Sequence, residues 1–153
     1  MEIERKFLVR HVPEQALRHP HKRIEQAYLC TEPVVRVRRC GGEFWLTCKG
    51  RGRLAREEFE LPLSEQAYRH LLAKADGAVI AKERYFIPWE GRTIELDVFD
   101  GALAPLVYAE VEFGSQEEAL AFQPPEWFGR EVTWEPGYTN AELSRKGAPP
   151  ALV

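Results

Sequence analysis

Hydrophobic and charged residues alternate along most of this chain, and a period of two residues is typical of β-strands with one buried face. The alternation starts at once, with charged side chains at Glu2, Glu4 and Lys6. Seven further segments follow a similar pattern, so the chain is predicted to form eight strands. These strands cover residues 2–9, 24–30, 34–40, 43–49, 56–63, 79–87, 93–99 and 106–113.

Helical patterns fill the intervals after the fifth and the eighth strands. Residues 64–77 are predicted to form a helix, because a serine can cap its first turn and Gly77 can end it. Two shorter helices are predicted at 115–122 and 139–146. The proline- and glycine-rich residues 124–138 between them are predicted to form a loop.

These elements predict a mainly β protein of the α+β class. The strands mostly follow one another along the chain, so antiparallel pairing is the simplest topology. Closure of eight antiparallel strands into a barrel is favoured because it removes exposed strand edges, and two or three helices would then pack outside. The length of 153 residues predicts a single domain over residues 1–153.

Composition and charge exclude several classes of protein. The formal net charge of −3 is too small for a strong field that would attract nucleic acid or an anionic membrane. No apolar run approaches a membrane span, and no signal peptide precedes the first strand, so a cytoplasmic location is predicted. The three cysteines form no CxxC pair, which argues for reduced thiols within strands and against a zinc site.

The charged residues of each predicted strand share one face, because residues two apart point the same way. The opposite face is largely apolar, as at Ile94, Leu96 and Val98. Any one such strand is compatible with an amphipathic sheet whose outer face is solvated. The cations of the set are Lys6, Arg36, Arg38, Lys49, Arg56, Lys82 and Arg84, and the anions are Glu2, Glu4, Glu58, Glu60, Glu95, Asp97, Glu110 and Glu112.

Taken together, these charges favour the interior of the barrel. Nearly all of the polar positions are ionisable, and like charges recur two residues apart on six strands, which a solvated face does not require. The predicted helices have apolar stripes and should therefore cover the apolar face of the sheet. With that face outside, the charged face lines the barrel. Arg5 lies on the other face and is expected outside.

A charged interior must be satisfied by a ligand or by pairing, since buried charge is costly. Clustered arginine and lysine suit phosphate oxygens, and arginine binds them in a bidentate manner. Clustered carboxylates suit Mg²⁺ or Mn²⁺, which prefer oxygen ligands. The two kinds of cluster in one interior predict a polyanion that binds together with a divalent metal ion.

The ordered series of paired charges resembles the CYTH family, also called triphosphate tunnel metalloenzymes. The opening E-I-E-R-K is similar to the ExExK signature of that family. The resemblance continues through R-V-R, T-C-K, E-F-E, K-E-R, E-L-D and E-V-E as far as residue 112. The later segment PPEWFGREVT is similar to the C-terminal part of short bacterial members.

The resemblance implies an eight-stranded tunnel that binds triphosphates with Mg²⁺ or Mn²⁺. It implies metal ligation by Glu2, Glu4, Glu110 and Glu112, with Asp97 as a further candidate. It implies phosphate binding by Lys6, Arg36, Arg38, Lys49, Arg56, Lys82 and Arg84. Glu58 and Glu60 are candidates for a second metal ion or for orienting water. Tyr28 matches a tyrosine that partners the lysine at Lys82 in proton transfer, although a packing role in the barrel wall explains Tyr28 equally well.

Within that family, hydrolysis of inorganic tripolyphosphate to pyrophosphate and phosphate is the first expectation. A thiamine triphosphatase or a class IV-type adenylyl cyclase is the alternative, and stacking of a thiamine or purine ring on Trp45 is less favoured than a packing role in the barrel core or at the surface. A non-catalytic polyphosphate-binding module and a carrier of apolar ligands lie outside the enzyme class, and a charged interior disfavours the carrier. The expected partner is a small triphosphate, without nucleic acid or membrane, and a homodimer is possible.

Overall fold

The computed structural model describes residues 1–147 and residue 149. The strands are β1 (Glu2–Val9), β2 (His21–Thr31), β3 (Val34–Cys40), β4 (Glu43–Lys49), β5 (Ala55–Arg56), β6 (Glu58–Leu63), β7 (Asp76–Trp89), β8 (Arg92–Phe99), β9 (Val107–Glu112) and β10 (Phe128–Glu131). The α-helices are α1 (Glu65–Leu72), α2 (Gln116–Ala121) and α3 (Asn140–Lys146), and 3-10 turns cover Glu14–Arg18 and Gly101–Leu103. Each predicted strand and helix therefore has a counterpart.

The strands form one antiparallel sheet that curls into a nearly closed barrel. Eight strands follow one another in the order β1, β9, β8, β7, β2, β3, β4 and β6. The short strand β5 pairs with the start of β1, where Glu2 lies opposite Arg56 and Ile3 opposite Ala55. This pairing brings the two ends of the sheet together and confirms the predicted antiparallel barrel. The predicted fifth strand is interrupted at Glu57, which separates β5 from β6.

The prediction of a loop throughout residues 124–138 is wrong for four of them. Phe128–Glu131 form β10, which pairs with the second half of β1. The strand forms because the Phe128 ring is buried and packs against the Phe7 ring, at 4.9 Å between centroids. A four-residue strand that contains a glycine has no alternation long enough to be recognised in the sequence.

The helices α1 and α2 cover the outer, apolar face of the barrel, as predicted. The outer core includes Phe7, Leu96 and Val111 from the strands and Ala119 from α2. Arg5 lies on this side, where its Nε and NH2 donate to the Glu131 carboxylate at 2.7 and 2.6 Å. The expectation that Arg5 lies outside the barrel is confirmed.

The third helix, α3, does not pack outside, so the expected two or three outer helices are two. It contributes Leu143 to a second core with Leu8, Ile80 and Tyr108. These three strand residues share a face with the charged positions of their strands, so the second core lies inside the barrel. The chain places α3 there because the interior becomes apolar at one end and requires cover.

A glycine permits the close seat of α3 on the barrel. Gly77, at the start of β7, has φ +73°, and a Cβ atom there would lie 2.7 Å from the Ser144 carbonyl oxygen. Any larger residue would therefore clash with the helix backbone and be strained in the left-handed region. The interior thus has two parts, a charged cavity and an apolar end covered by α3.

Candidate active site

The charged part of the interior is a cavity of about 530 Å³. All of the predicted site residues except Lys82 and Asp97 line it. The residues in question are Glu2, Glu4, Lys6, Tyr28, Arg36, Arg38, Lys49, Arg56, Glu58, Glu60, Arg84, Glu110 and Glu112. The prediction that the charged strand faces point into the barrel is therefore in agreement with the structure.

Carboxylates from β1 and β9 face each other in the cavity. Strand register places Glu4 opposite Glu112 and Lys6 opposite Glu110. Burial, followed by the nearby charges of Glu110 and Glu2, raises the pKa of Glu4 well above its usual value. Burial alone would raise the pKa of Glu110 as well, but the charges of Lys6 and other cations hold it well below its usual value. The two neighbouring carboxylates therefore have pKa values shifted in opposite directions.

Glu110 also presents an unsatisfied acceptor. Its Oε1 atom is buried and has no hydrogen-bond partner. The nearest cations, Lys6 Nζ and Arg84 NH2, both lie 3.8 Å away. A buried acceptor that the protein leaves unpaired suits a cation or a donor brought by a ligand. As they stand, no three of the described acidic, histidine or cysteine side chains converge on one point.

A second acidic group surrounds Lys49 at the start of β1. The ammonium donates to Glu2 Oε1 and Oε2 at 2.8 and 3.0 Å and lies 3.4 Å from Glu58 Oε2. Arg56 Nε lies 3.5 Å from the same Glu2 carboxylate. Burial, together with a hydrogen bond to Glu2 and its charge, raises the pKa of Glu58 to about 7. Glu58 is therefore close to half protonated at neutral pH and can exchange a proton there.

Guanidinium groups from β3 and β7 form the basic part of the cavity. Arg36 NH2 lies 3.2 Å from Thr47 Oγ1, while its buried Nε has no partner. Arg38 Nε donates to Gln26 Oε1 at 2.8 Å, a neutral acceptor. Burial, and then the charges of Arg36 and Arg84, lowers the pKa of Arg38 to about 10. Positive charge here exceeds what the protein compensates, so the cluster is suited to bind an anion.

Lys82 and Asp97 lie behind the cavity wall. Both side chains are fully buried, and Lys82 Nζ donates to Asp97 Oδ2 at 2.7 Å. Arg84 donates to the same carboxylate through Nε at 2.7 Å and NH2 at 2.8 Å. Because both oxygens of Asp97 are already bound by cations, its predicted role as a metal ligand does not fit its surroundings. Direct contact of Lys82 with a substrate in the cavity does not fit either.

A comparison with family models identifies the fold family of this barrel. The model described as the CYTH domain matches residues 1–143, which include every strand. The chain belongs to the CYTH family. The resemblance that the charge series suggested is therefore confirmed.

Curated relatives of this CYTH protein have names that state an activity. The chain is 41% identical over 148 residues to the inorganic triphosphatase of Nitrosomonas europaea, a match that covers 94% of this chain and 96% of the relative. It is 37% identical over 150 residues to the inorganic triphosphatase of Acetivibrio thermocellus, with 93% and 92% covered. The crystal structure of the inorganic triphosphatase NE1496 superposes with a TM-score of 0.71 and 36% identity, and covers 99% and 97% of the two chains.

The cavity of this CYTH protein also contains residues that the strand pattern did not predict. They come from the loop before β5 and from the segment around α3, and they include Arg53, Tyr138, Asn140, Glu142 and Arg145. Arg53 NH1 lies 3.2 Å from Glu142 Oε1, so the loop and the helix are linked by an ion pair. The basic run in the loop was a usable signal in the sequence, but the α3 residues follow no strand alternation.

Two aromatic residues with disputed roles have different positions. Tyr28 lies opposite Arg36 in the β2–β3 ladder, lines the cavity and also belongs to the second core. Both proposed roles of Tyr28 therefore remain compatible with its position. Trp45 is not among the residues that line the cavity, in agreement with the expectation of a packing role.

Two further features bear on the class of protein. Cys30, Cys40 and Cys48 are unpaired and lie in strands, as predicted. Within the described part of the chain, every helix is too short or too polar to cross a lipid bilayer.

Proposed function

We propose that this CYTH protein hydrolyses inorganic tripolyphosphate to pyrophosphate and phosphate, with Mg²⁺ or Mn²⁺ as cofactor. The observation that supports the proposal most directly is the meeting of two uncompensated charge clusters in one cavity. The guanidinium groups of Arg36 and Arg38 are short of anions, and the Glu110 carboxylate is short of donors. The names of the two curated relatives support tripolyphosphate as the substrate.

The carboxylates of β1 and β9 are the residues that would hold the metal ion. Their oxygen donors are of the type that Mg²⁺ and Mn²⁺ prefer, and Glu110 Oε1 is free to accept a cation. Mg²⁺ commonly binds one or two carboxylates together with waters and substrate phosphates, so a complete protein cage is not required. We assign this role to Glu2, Glu4, Glu110 and Glu112. When bound, the ion would neutralise charge on the phosphate oxygens.

The basic residues would bind and orient the phosphate chain. Arg36, Arg38 and Arg84 present planar donors that match phosphate oxygens, and Lys6 adds a point charge beside Glu110. Charge that develops on the terminal phosphoryl oxygens during transfer would be stabilised by the same groups. Lys49 and Arg56 lie nearer to Glu2 and would bind the other end of the chain.

Proton transfer requires a group that can change its protonation state near neutral pH. Glu58 has a pKa of about 7 and lies in the cavity. In the proposed reaction a water oxygen forms a bond to the terminal phosphorus, the bridging P–O bond breaks, and pyrophosphate leaves. The proton of the attacking water passes to Glu58, and Glu60 or Tyr28 orients that water. Lys82 acts from behind the wall, through Asp97.

A panel of substrates tests the proposal. Purified protein is assayed with tripolyphosphate, ATP and thiamine triphosphate in Mg²⁺ or Mn²⁺, and the products are identified. We expect tripolyphosphate to have the largest kcat/KM and EDTA to abolish the activity. The proposal would be wrong if ATP gave cyclic AMP or if thiamine triphosphate were preferred. It would also be wrong if the protein bound tripolyphosphate tightly without releasing phosphate. Activity that survives EDTA would refute the metal requirement.

Three broader predictions belong to the same proposal. We propose that residues 1–153 act as a single domain, that the protein functions in the cytoplasm, and that homodimers form. The net charge of −3 and the small substrate support action without nucleic acid. Light scattering coupled to size-exclusion chromatography would test the homodimer directly, since a mass of 17.6 kDa is expected for one chain.

A further inference from the structure

A polar side chain of α3 reaches the ion pairs behind the cavity wall. Asn140, the first residue of the helix, accepts hydrogen bonds through Oδ1 from Lys82 Nζ at 3.3 Å and from the Tyr108 hydroxyl at 3.1 Å. The helix can lie close to β7 because Gly77 has no Cβ atom that would clash with the Ser144 carbonyl. Asn140 therefore enters the barrel at a fixed position.

The contacts continue from Lys82 to the cavity. Lys82 is fully buried, so its charge needs close partners, and Asp97 provides one at 2.7 Å. Asp97 in turn binds the Arg84 guanidinium with both oxygens. Both ends of this series, Asn140 and Arg84, line the cavity, whereas Lys82 and Asp97 do not. Arg84 also lies 3.3 Å from Glu95 and 3.8 Å from Glu110.

We infer that Asn140 is a positioning residue for substrate binding, which acts through Lys82 and Asp97 to fix the guanidinium of Arg84. This inference rests on the proposed function. Arg84 has three carboxylates within reach, since NH1 also donates to Glu95 at 3.3 Å and NH2 lies 3.8 Å from Glu110. The bidentate bond to Asp97 is the shorter and fixes the plane of the guanidinium. If Lys82 loses the Asn140 acceptor, its hold on Asp97 weakens, and Arg84 can turn further towards Glu95 or Glu110. Its donors would then be less available for a phosphate group.

Near-isosteric substitutions of Asn140 separate the hydrogen bond from packing. Asn140→Leu keeps the size but removes the acceptor, whereas Asn140→Asp keeps an acceptor oxygen. We expect Asn140→Leu to raise the KM for tripolyphosphate about fivefold, as for one lost buried hydrogen bond, with kcat changed by less than about twofold. Asn140→Asp should keep KM within about twofold of the unaltered protein, because the acceptor is retained.

Ser144→Ala is the matched control on the same helix. Within residues 1–147, its hydroxyl donates to the Ala141 carbonyl of its own helix at 2.7 Å and has no bond to Lys82, so this change alters α3 without reaching Lys82. The inference would be refuted if KM rose as much in Ser144→Ala as in Asn140→Leu. It would also be refuted if KM rose equally in Asn140→Asp and Asn140→Leu. If Asn140→Leu does not fold, Asn140→Ala, which only deletes atoms, is judged by the same criteria.

A double-mutant cycle tests the route through Lys82. If Asn140 acts through Lys82, adding Asn140→Leu to Lys82→Met should raise KM no further. If the fold-change of KM in the double variant equals the product of the two single fold-changes, Asn140 acts independently of Lys82, and the inference is wrong.

An NMR measurement tests the same route without turnover. The Arg84 Nε–H signal, identified by its loss in Arg84→Lys, should be protected from solvent exchange in the unaltered protein and in Asn140→Asp. It should lose protection in Asn140→Leu, and retained protection there would refute the inference. If the unaltered protein does not hydrolyse tripolyphosphate, the proposed function fails, and this measurement alone decides the positioning role.

Discussion

The two ends of the barrel interior are built by the same strands and differ in what covers them. On β1, Lys6 lies in the charged cavity while Leu8, on the same face, lies in the core beneath α3. On β9, Glu110 and Tyr108 show the same division. The apolar end is completed by the protein itself, through α3. The charged end is left for a ligand, because its cations and carboxylates are only partly paired with one another.

The face of a strand on which a residue lies is therefore not enough to define a site. Lys82 has the same facing as Arg84, yet Lys82 is enclosed by Asp97 and Asn140, whereas Arg84 reaches the cavity. Depth along the barrel decides whether a charged side chain serves the ligand or the scaffold. Changes at the charged end should therefore affect activity more than folding, and changes at the apolar end should do the reverse.

The largest effect is expected from Glu4→Gln at the charged end. Burial, followed by the charges of Glu110 and Glu2, raises the pKa of Glu4 well above its usual value, so a negative charge at this position does not favour folding. A neutral glutamine should therefore leave the stability of the metal-free protein nearly unchanged. Loss of a metal-binding carboxylate should lower kcat/KM for tripolyphosphate roughly 1,000-fold, about 4 kcal/mol. Activity titrated with Mg²⁺ and urea unfolding measure the two effects. Glu117→Gln on exposed α2 is the control. A strong loss of stability in Glu4→Gln would contradict the expectation that changes at the charged end affect activity more than folding.

At the apolar end, Leu143→Ala should act mainly on stability. Leu143 is 1% exposed in the core between α3 and the strands, so truncation leaves a cavity. We expect the free energy of unfolding to fall by about 3 kcal/mol. Leu120→Ala on α2, where the side chain is 65% exposed, should change it by less than about 0.5 kcal/mol. Equal urea midpoints for the two variants would show that α3 does not close the barrel.

A smaller effect, of opposite sign for binding and stability, is expected from Arg38→Gln. The neighbouring cations Arg36 and Arg84 oppose its charge, so removing it should leave stability equal or higher. The KM for tripolyphosphate should rise about 30-fold, about 2 kcal/mol, because a charged donor to phosphate is lost. Arg39→Gln is the control, since Arg39 is exposed on the opposite face of the same strand. A lower stability with an unchanged KM would mean that Arg38 is structural.

Most of the fold could be predicted because charged and apolar residues alternate along the strands. This alternation shows both where the strands lie and which residues share a face. The strands that complete the barrel along β1 could not be predicted, because the two residues of β5 and the four of β10 are too short to show a period. The position of α3 was also hidden, since an apolar stripe on a helix fits the outside or the inside of a barrel equally well.

The candidate site was predicted as a set of residues, but not as an arrangement. Alternation placed Arg36, Glu110 and their neighbours on the inner face, and the structure brings them into one cavity. Alternation could not show that Lys82 and Asp97 lie behind the residues that line the cavity. The depth of a residue in the barrel depends on strand register and tilt. Asn140 lay outside any strand and had no periodic signal at all.

The pH dependence of stability should change least, and it distinguishes Lys82 from Arg84. Burial lowers the pKa of Lys82 to about 7, although Asp97 acts against that shift. Between this value and the usual lysine pKa, the unfolded chain holds a proton that the folded protein has released. Below pH 7 the buried lysine is charged, and its desolvation lowers the free energy of unfolding by the full amount. This loss of stability becomes smaller as the pH rises above 7.

The pH effect is measured as a difference between two proteins. Relative to Lys82→Met, the unaltered protein should gain at most about 1.4 kcal/mol of unfolding free energy for each pH unit above 7. Urea unfolding at pH 7.5 and 8.5 measures this difference, and the comparison cancels groups that titrate in both proteins. A flat difference would mean that Lys82 stays charged in the folded state. In that case Asp97 outweighs burial, and the wall behind the cavity holds a full ion pair.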